Sequence, residues 1–339
     1  MIVDRYYYQQ LNKKEQEIYK IFYNGIMAHE EIIPIPIHGE FSSNSFERIF
    51  TAITKDNPLI YFLNQSACSM AKDIFGHIAI CPQYFFTKEK VKEYNRKIEQ
   101  VVNDIVGQLN LLKCSDYEKE LQIHDWICKN IKYDYEGSDK SKLSRVIASH
   151  NILGVFAYHK AQCEGIAKAV KVLLNAVDER CIVVTGDTIK DRENVPHAWN
   201  IVNIGGEPYH LDVTWDIGST EKDKQYLAHD YFNLPDDLIK QDHKAHKELP
   251  NCKAKTANYY VKNRCVFSTR CGLMMYIDRL LVQKVKVFEF RVDGRLNKSI
   301  LDKKISDYIL HKLKEQGRNR VGIRIYANQK IGVYRIKIY

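Results

Sequence analysis

Apolar residues in the first third of the chain recur every three or four positions, the period of a helix with one buried face. The longest such stretch runs from Lys88 to about Leu112. Asn12 and Ser115 each stand three residues before a glutamate, the capping-box pattern that opens a helix. The spacing therefore predicts a mainly helical N-terminal region over residues 1–113.

The end of the chain shows a different pattern, in which strand and helix periods alternate. A strand pattern at 284–292 precedes a helical stripe over 299–315. Two alternating segments follow, Val321–Ile325 and Tyr334–Ile338. This β-α-β-β order contains no cluster of acids and bases. We therefore predict a small C-terminal accessory domain over residues 251–339, which docks a protein partner or presents substrate.

A cysteine stands at the predicted start of a helix in the middle of the chain. Behind Cys163 apolar residues recur at helical spacing, at Ala167, Val170, Leu174 and Val177. Unpaired backbone N–H groups and the positive end of the helix dipole favour thiolate over thiol at such a position. The same N–H groups can donate to an oxyanion. Gly165 is expected to leave room for a substrate carbonyl beside the first turn.

Two strand-forming segments joined by Gly205-Gly206 predict a β-hairpin with a tight turn. Counting back from that turn places Trp199 opposite Asp212 and His197 opposite Thr214. Because side chains alternate between the two faces of a strand, four residues are expected on one face: His197, Trp199, His210 and Asp212.

The counted register makes His197 and Asp212 diagonal neighbours, with Cα atoms roughly 7–8 Å apart and side chains able to meet. A carboxylate in that position holds an imidazole in one tautomer and stabilises its charged form. A loop one residue longer would shift the register and separate the pair. The spacing thus predicts a base and its orienting carboxylate on one sheet face.

These segments resemble the transglutaminase-like superfamily, in its bacterial branch of papain-like thiol enzymes. The matching residues form three runs: Cys163-Glu164-Gly165 with Ala167 and Lys168, His197-Ala198-Trp199-Asn200, and Asp212-Val213-Thr214-Trp215-Asp216. The segment from Ile127 to Asp134 also resembles the one that precedes the cysteine in that family, and the resemblance covers about 115–234. It implies Cys163 as nucleophile, His197 as base and Asp212 as orienting carboxylate.

The resemblance also implies an α+β fold with a papain-like core, which we assign to residues 114–250. In that core the helix bearing Cys163 packs against an antiparallel sheet bearing His197 and Asp212. Members of the superfamily hydrolyse or transfer acyl groups. We therefore expect acyl chemistry on a peptide or amide through a Cys-His-Asp triad.

Several residues near the triad are candidates for the pocket or the oxyanion hole. Gln162 and Tyr158 precede the nucleophile, and their spacing does not decide which one contributes. Trp199 and His210 are expected either to wall the cleft or to pack beside it, with packing favoured for both. Ile166 and Gln162 depart from the residue types common in the family, and we expect both to affect substrate fit.

The remaining segments of the predicted core have patterns typical of strands or loops. Cys181–Thr185 is rich in strand formers and predicts a buried strand, whereas the polar segment Gly186–Asn194 predicts a surface loop near the site. Residues 235–250 are charged, contain histidines and show no period. They predict a loop or short helix that covers one edge of the core.

The sequence gives no reason to expect a metal or a cofactor. Nine cysteines are scattered without CxxC spacing, which argues against a zinc site and a disulfide framework. His159 and Cys163 are four apart, but His159 precedes the predicted helix. His124 lies on an apolar helical stripe and is expected as a hydrogen-bonded core residue. Asp216 is a distant second choice as orienting carboxylate.

Composition places the protein among globular chains, with 339 residues, 45% hydrophobic residues and a net charge of +9. No stretch approaches the roughly 18 apolar residues that span a bilayer. The tyrosine-rich start lacks the apolar run of a signal peptide, so we expect a cytoplasmic protein, with a secreted form left open if a signal was removed. The positive charge favours acidic partners, but no nucleic-acid motif is present, and nucleic acid is not the expected partner.

The sequence therefore predicts a cysteine peptidase or amidase, or a protein-glutamine acyltransferase, acting on a peptide or protein substrate. Hydrolysis is slightly favoured because it needs only water as acceptor. The alternative is a non-catalytic peptide- or protein-binding module on the same fold. An open path to Cys163 would favour the enzyme, whereas a cleft plugged by its own chain would favour the binding module.

Overall fold

Helices dominate the N-terminal part of the chain, as the apolar spacing predicts. The structure is a computed structural model that describes residues 4–36, 41–139, 141, 143–190, 193–221, 226–294, 296 and 301–339. The α-helices among these described residues are α1 (Tyr6–Gln9), α2 (Lys13–Ala28), α3 (Ser43–Asp56), α4 (Lys88–Gln108), α5 (Asp116–Asn130), α6 (Leu143–Ser149), α7 (Ile152–Phe156), α8 (Cys163–Ala176), α9 (Val213–Glu221), α10 (Asp236–Ile239), α11 (Tyr259–Lys262), α12 (Arg270–Val282) and α13 (Leu301–Glu315).

The strands form small sheets between these helices. They are β1 (Ile33–Ile35), β2 (Ser69–Lys72), β3 (Ile78–Cys81), β4 (Lys132–Tyr133), β5 (Lys160–Ala161), β6 (Cys181–Lys190), β7 (Glu193–Ile204), β8 (Glu207–Leu211), β9 (His243–Ala245), β10 (Val266–Phe267), β11 (Val287–Val292), β12 (Ile323–Asn328) and β13 (Val333–Ile338). The sheet orders are β1-β3-β2, β4-β5, β8-β7-β6-β9 and β10-β11-β13-β12.

The predicted capping boxes are both present. The Asn12 side chain accepts from the backbone N–H of Glu15, whose carboxylate accepts in return from the N–H of Asn12. Ser115 and Glu118 make the same reciprocal pair at the start of α5. Each box satisfies N–H groups that the first helical turn leaves without intrahelical partners.

The central layer is the antiparallel sheet β8-β7-β6-β9, against which α8 packs. One apolar stripe of α8, with Val170, Leu173 and Leu174, is completely buried. The helix that begins at Cys163 therefore lies on an antiparallel sheet that carries His197. The predicted α+β fold with a papain-like core is confirmed.

The β7–β8 hairpin has the predicted register. Gly205 and Gly206 form its turn with φ of 62° and 90°, a region that glycine enters without strain. Ile204 pairs with Glu207, and the ladder continues to Asn200 opposite Leu211.

The strand ends earlier than predicted, and the expected pairing of His197 with Thr214 is wrong. β8 stops at Leu211, and Thr214 lies in the first turn of α9. The reason is local, because a carboxylate oxygen of Asp212 accepts from the backbone N–H of Trp215 at 3.2 Å. That bond is the N-cap interaction that starts a helix, and it outweighs the strand preference of Val213 and Thr214.

In the segment Gly186–Asn194, the residues up to Lys190 and from Glu193 are strand rather than the predicted surface loop, and 191–192 lie outside the described residues. β6 continues to Lys190 and pairs residue by residue with β7, which begins at Glu193. The residues from Glu193 to Pro196 are exposed, so this end of the hairpin projects from the core. The exposed end of a hairpin needs no alternating apolar residues, which explains why Glu193 and Asn194 are polar.

Residues 235–250 contain the predicted short helix, α10, but also a strand that was not predicted. β9 pairs antiparallel with β6, so that Gly186 lies opposite Ala245. A Cβ atom at Gly186 would collide with the carbonyl oxygen of Lys244 and with the ring of Trp199. Glycine at this position therefore allows β9 to lie against the sheet.

A second core lies under the C-terminal sheet, which carries α12 and α13. The order β11-α13-β12-β13 follows the predicted pattern, whereas α12 lies outside the predicted elements. Leu273, Ile277 and Leu281 on α12 are buried in this core. The domain limits at 113/114 and 250/251 stay predictions. Among the described residues, no helix combines the length and the apolar composition needed to cross a bilayer.

We predict that Gly186→Ala destabilises the fold by about 2–3 kcal/mol, because a backbone carbonyl of β9 and a buried ring must move to admit a methyl group. Urea denaturation followed by tryptophan fluorescence measures this. Gly107→Ala is the matched control: no atom lies within 4 Å of a Cβ there, and this helical position should gain about 0.5–1 kcal/mol. An unchanged midpoint for Gly186→Ala would contradict the close approach of β9.

Candidate active site

Cys163 is the first residue of α8, and β5 leads directly into it. Its side chain packs against Ala167, Val183 and Ala198 and remains partly exposed. The first turn of a helix leaves backbone N–H groups without intrahelical partners. The thiol therefore lies beside hydrogen-bond donors at the positive end of the helix dipole.

His197 and Asp212 are joined by a hydrogen bond of 2.7 Å from the ring Nε2 to a carboxylate oxygen. Only 7% of the His197 side chain is exposed, and Asp212 is completely buried. The Cys163 thiol is near enough to the ring to raise the pKa of His197. Because Nε2 is bound to Asp212, Nδ1 is the nitrogen left for the thiol.

The two charges of the pair stabilise each other. Burial alone would lower the pKa of His197, but the charge and hydrogen bond of Asp212 and the nearby Cys163 thiol raise that pKa to about 10. Burial alone would raise the pKa of Asp212, but His197 and His243 hold it well below its usual range. The pair is therefore an imidazolium and a carboxylate at neutral pH.

A second imidazole binds the same carboxylate. Nε2 of His243 lies 3.0 Å from the Asp212 oxygen that also accepts from His197. Sequence analysis missed His243, although its segment was noted as rich in charge and histidine. A three-residue strand has no detectable period, so its place in the sheet could not be counted.

Trp199 and His210 lie behind His197 rather than in a substrate pocket. The Trp199 ring is almost parallel to that of His197, with centroids 6.1 Å apart, and only 2% of Trp199 is exposed. Its indole N–H donates to Nδ1 of His210 at 3.0 Å, and Nε2 of His210 lies 3.0 Å from Asp236. The geometry thus favours packing over a cleft wall for both residues.

The residues that flank Cys163 serve mainly to pack its helix. The Gln162 amide donates to the carbonyl oxygen of Asp134 and to the hydroxyl of Ser138, and Ile166 is buried. Tyr158 is 68% exposed and lines a separate cavity beside α4. None of these three side chains lines the cleft next to His197.

The expectation that Gly165 leaves room for substrate is wrong. A Cβ atom there would lie 2.5 Å from the carbonyl oxygen of Ser149 and 2.8 Å from that of Asn151. The space beside the first turn is filled by the connection between α6 and α7. Gly165 therefore permits close packing of the chain around the start of α8.

A cleft of about 830 Å³ opens beside His197. Tyr133, Tyr135 and Trp215 line it on the side of the papain-like core, and the β12–β13 hairpin forms another wall. The hairpin residues that face it are Tyr326, Ala327, Asn328, Gln329, Lys330, Val333 and Arg335. Sequence analysis did not predict the contribution of the hairpin.

A second cluster of cysteine, histidine and aspartate residues is buried in the core. His124 is completely buried, with Nε2 3.1 Å from Asp216 and Nδ1 3.0 Å from Asp125, and the Cys128 sulfur is 3.7 Å away. The prediction of His124 as a hydrogen-bonded core residue is confirmed. Asp216 binds His124 instead of His197, so the second choice of orienting carboxylate is wrong.

Three clusters in the described residues bring possible metal ligands together. They are His124, Asp125 and His229; His197, Asp212 and His243; and His210, Asp236 and Cys252. In each cluster the histidines already hydrogen-bond to the carboxylate. A cation would have to replace these bonds, so the geometry favours hydrogen-bond networks.

Parts of the chain are similar to known proteins. A family model described as the transglutaminase-like superfamily matches residues 103–213, a range that contains Cys163, His197 and Asp212. Kyphoscoliosis peptidase of Mus musculus is 26% identical over 150 residues, which are 40% of this chain and 22% of that protein. The match thus spans about a fifth of the length of this curated relative.

Solved structures add weaker likenesses. A crystal structure of a TGase has a TM-score of 0.31 and 16% identity, covering 54% of this chain and 50% of the other. A structure from Cytophaga hutchinsonii, named as a candidate cysteine protease, has a TM-score of 0.28 and 14% identity, covering 43% and 61%. The fold described above therefore depends on this structure alone.

We predict that Asp212→Asn lowers the pKa of His197 from about 10 back towards 6.5, because it removes the charge that stabilises the imidazolium. A pH titration of histidine ring signals by NMR measures this. The folded pKa lies above the unfolded value, so the pair's stabilisation is complete below about 6.5 and is lost as pH rises through about 10.

The matched control is Asp187→Asn, which removes a carboxylate of the same sheet that binds the half-exposed His246. It should leave the His197 titration unchanged. A His197 pKa near 10 in Asp212→Asn would show that the carboxylate does not set the protonation of the ring.

Proposed function

A domain of the transglutaminase-like superfamily spans residues 103–213 of this chain, and on that premise we propose that the protein is a thiol enzyme. It cleaves or transfers the acyl group of a peptide or amide substrate. The observation that carries the proposal is the hydrogen-bonded pair of the His197 ring and the Asp212 carboxylate, with His197 lining an open cleft and the partly exposed Cys163 thiol near enough to raise the pKa of that ring.

The geometry supports a two-step acyl transfer. The Cys163 thiolate attacks the substrate carbonyl carbon, and N–H groups in the first turn of α8 donate to the oxyanion. The His197 imidazolium gives its proton to the leaving amine as the C–N bond breaks, and a thioester remains on Cys163. Water or an amine then attacks the thioester while His197 takes up its proton, and the thiolate leaves.

Asp212 acts through His197 in this scheme. It holds the ring by Nε2, which directs Nδ1 to the thiol, and its charge favours the imidazolium. A thiolate beside an imidazolium is a nucleophile that exists at neutral pH. A buried carboxylate keeps this effect strong because little water screens it.

The shape of the cleft favours a polypeptide substrate. It is long enough to continue from His197 past Trp215 to the C-terminal hairpin, and tyrosines at 133 and 135 line its side. Aromatic side chains offer flat apolar surface with polar edges, which suits a peptide backbone and its side chains. Hydrolysis stays slightly favoured over transfer to an amine because it requires no second binding site.

The alternative is a peptide-binding module that performs no chemistry. Such a module needs no accessible thiol, whereas Cys163 is partly exposed and interacts with His197. The hairpin that forms one cleft wall supports a role of the C-terminal region in presenting substrate. Docking of a protein partner by that region, and a cytoplasmic location, remain proposals from the sequence.

We predict that His197→Ala slows alkylation of Cys163 by iodoacetamide at pH 6–7 by about tenfold or more, because the thiolate loses its imidazolium partner. Peptide mapping by mass spectrometry measures the rate at each cysteine. The exposed Cys271 serves as an internal reference in the same sample. His311→Ala, which removes an exposed histidine of α13, is the matched control. An unchanged rate and pH profile at Cys163 in His197→Ala would argue against an activated thiol.

We further predict turnover of a substrate panel that is lost in Cys163→Ala. Peptides and glutamine-containing peptides are incubated with and without a primary amine, and product masses distinguish cleavage, deamidation and amine incorporation. Cleavage or deamidation without amine incorporation is the expected result. Equal peptide binding by the parent protein and Cys163→Ala, with no product from either, would favour the binding module.

A further inference from the structure

The carboxylate of Asp212 has an additional partner that the proposed mechanism does not use. His243 lies with Nε2 3.0 Å from Asp212 and with Nδ1 2.6 Å from Asp242. Only 1% of its side chain is exposed. His243 thus joins two buried carboxylates, one of which also binds His197.

The protonation state of this ring follows from the two groups that it contacts. A neutral imidazole has one N–H donor and one lone pair, and a lone pair cannot hydrogen-bond to a carboxylate oxygen. Both nitrogens of His243 face such oxygens. A ring with protons on both nitrogens satisfies the two contacts, and the two negative charges offset the cost of burying the cation.

The surroundings of His243 are rigid and mostly aromatic. Its ring centroid lies 4.7 Å from that of Trp215, 5.1 Å from Trp199 and 5.6 Å from Tyr231. Aromatic faces stabilise a neighbouring cation. β9 holds the residue against β6, where Gly186 permits the close approach.

The titratable groups around His243 come from each neighbouring element. Asp212 follows β8, Asp242 precedes β9, His197 lies on β7 with ring centroids 5.4 Å apart, and Tyr231 donates its hydroxyl proton to Asp242 at 2.8 Å. His210 on β8 also senses the charge of His243, which lowers the pKa of His210 alongside the larger effect of burial. Asp212 and Asp242 are the groups that favour the imidazolium form of His243 over the neutral ring.

We propose that His243 is a positioning residue for the reaction at Cys163. It fixes the carboxylate of Asp212 and shares that charge with His197, and so sets the pH range over which the Cys163 and His197 pair is ionised. This inference depends on the proposed function. His243 lies behind Asp212 and acts on Cys163 only through Asp212 and His197.

The direction in which replacing His243 shifts the two titrations follows from the loss of its positive charge. Removing the cation at position 243 leaves the whole charge of Asp212 to His197 and removes a positive neighbour of that ring. The imidazolium of His197 then persists to higher pH, and the less neutralised charge of Asp212 raises the pH at which the thiolate of Cys163 forms. If His243 had only a structural role, replacing it would change the stability of the fold but would shift neither the titration of His197 nor that of Cys163.

The test is the pH profile of Cys163 alkylation by iodoacetamide in His243→Gln, which removes the positive charge. Both transitions of the rate profile should move up by about one pH unit relative to the parent protein, a typical effect of one nearby charge. The matched control is His246→Gln, three residues further on, whose ring is 49% exposed and binds Asp187. It should leave the profile in place.

The outcomes separate this inference from the proposed function. A parent profile with a single transition at an ordinary thiol pKa overturns both. A two-step parent profile that His243→Gln does not shift overturns only the role of His243.

A second readout uses the unaltered protein, so it does not depend on the folding of the variant. In ring ¹⁵N spectra, His243, assigned through its contacts with Trp199 and Trp215, should carry protons on both nitrogens at pH 8. A neutral His243 at that pH overturns the proposal.

Discussion

The arrangement of the core depends on keeping one buried carboxylate charged. Asp212 is completely enclosed, and a bare carboxylate there would be too costly in free energy to survive as an anion. Three hydrogen-bond donors offset this free-energy cost: the ring of His197, the ring of His243 and the backbone N–H of Trp215. Each donor comes from a different element, so the position of Asp212 constrains the hairpin, β9 and the start of α9 at the same time.

A comparison within the chain shows that residue types alone do not make an active site. Asp212 and Asp216 are four residues apart, and each binds a histidine that has a cysteine nearby. The cluster around Asp216 is sealed, and burial raises the pKa of the Cys128 thiol despite the charge of His124. The cluster around Asp212 differs in having a partly exposed sulfur at a helix start. The partial exposure of the sulfur and its place at a helix start, rather than composition, distinguish the two.

The features that local patterns encode were predictable from the sequence. The turn at Gly205-Gly206 fixed the register by counting, and that register brought His197 next to the residue that follows Leu211. The stripe behind Cys163 predicted its helix in the same way. Both depend on interactions between residues close in the chain, for which period and turn chemistry are reliable signals.

The features that long-range contacts decide were not predictable. β9 has three residues and pairs with β6 more than fifty positions earlier, so nothing in its own sequence marks it as a strand. Thr214 and its neighbours favour a strand by composition, but the Asp212 side chain caps a helix there. Glu193 and Asn194 are polar because they lie at the exposed end of the hairpin, which is also the composition of a loop. In each case tertiary context overrode the local preference.

The same hydrogen-bond network extends from Asp212 to the wall of the cleft. The Asn328 amide of the C-terminal hairpin donates to the Tyr231 hydroxyl at 3.1 Å, and Tyr231 donates to Asp242, which holds His243. Tyr231, Asp242 and Asn328 all line the cleft. The C-terminal hairpin is thus joined to the Asp212 carboxylate by a chain of hydrogen bonds through Tyr231, Asp242 and His243.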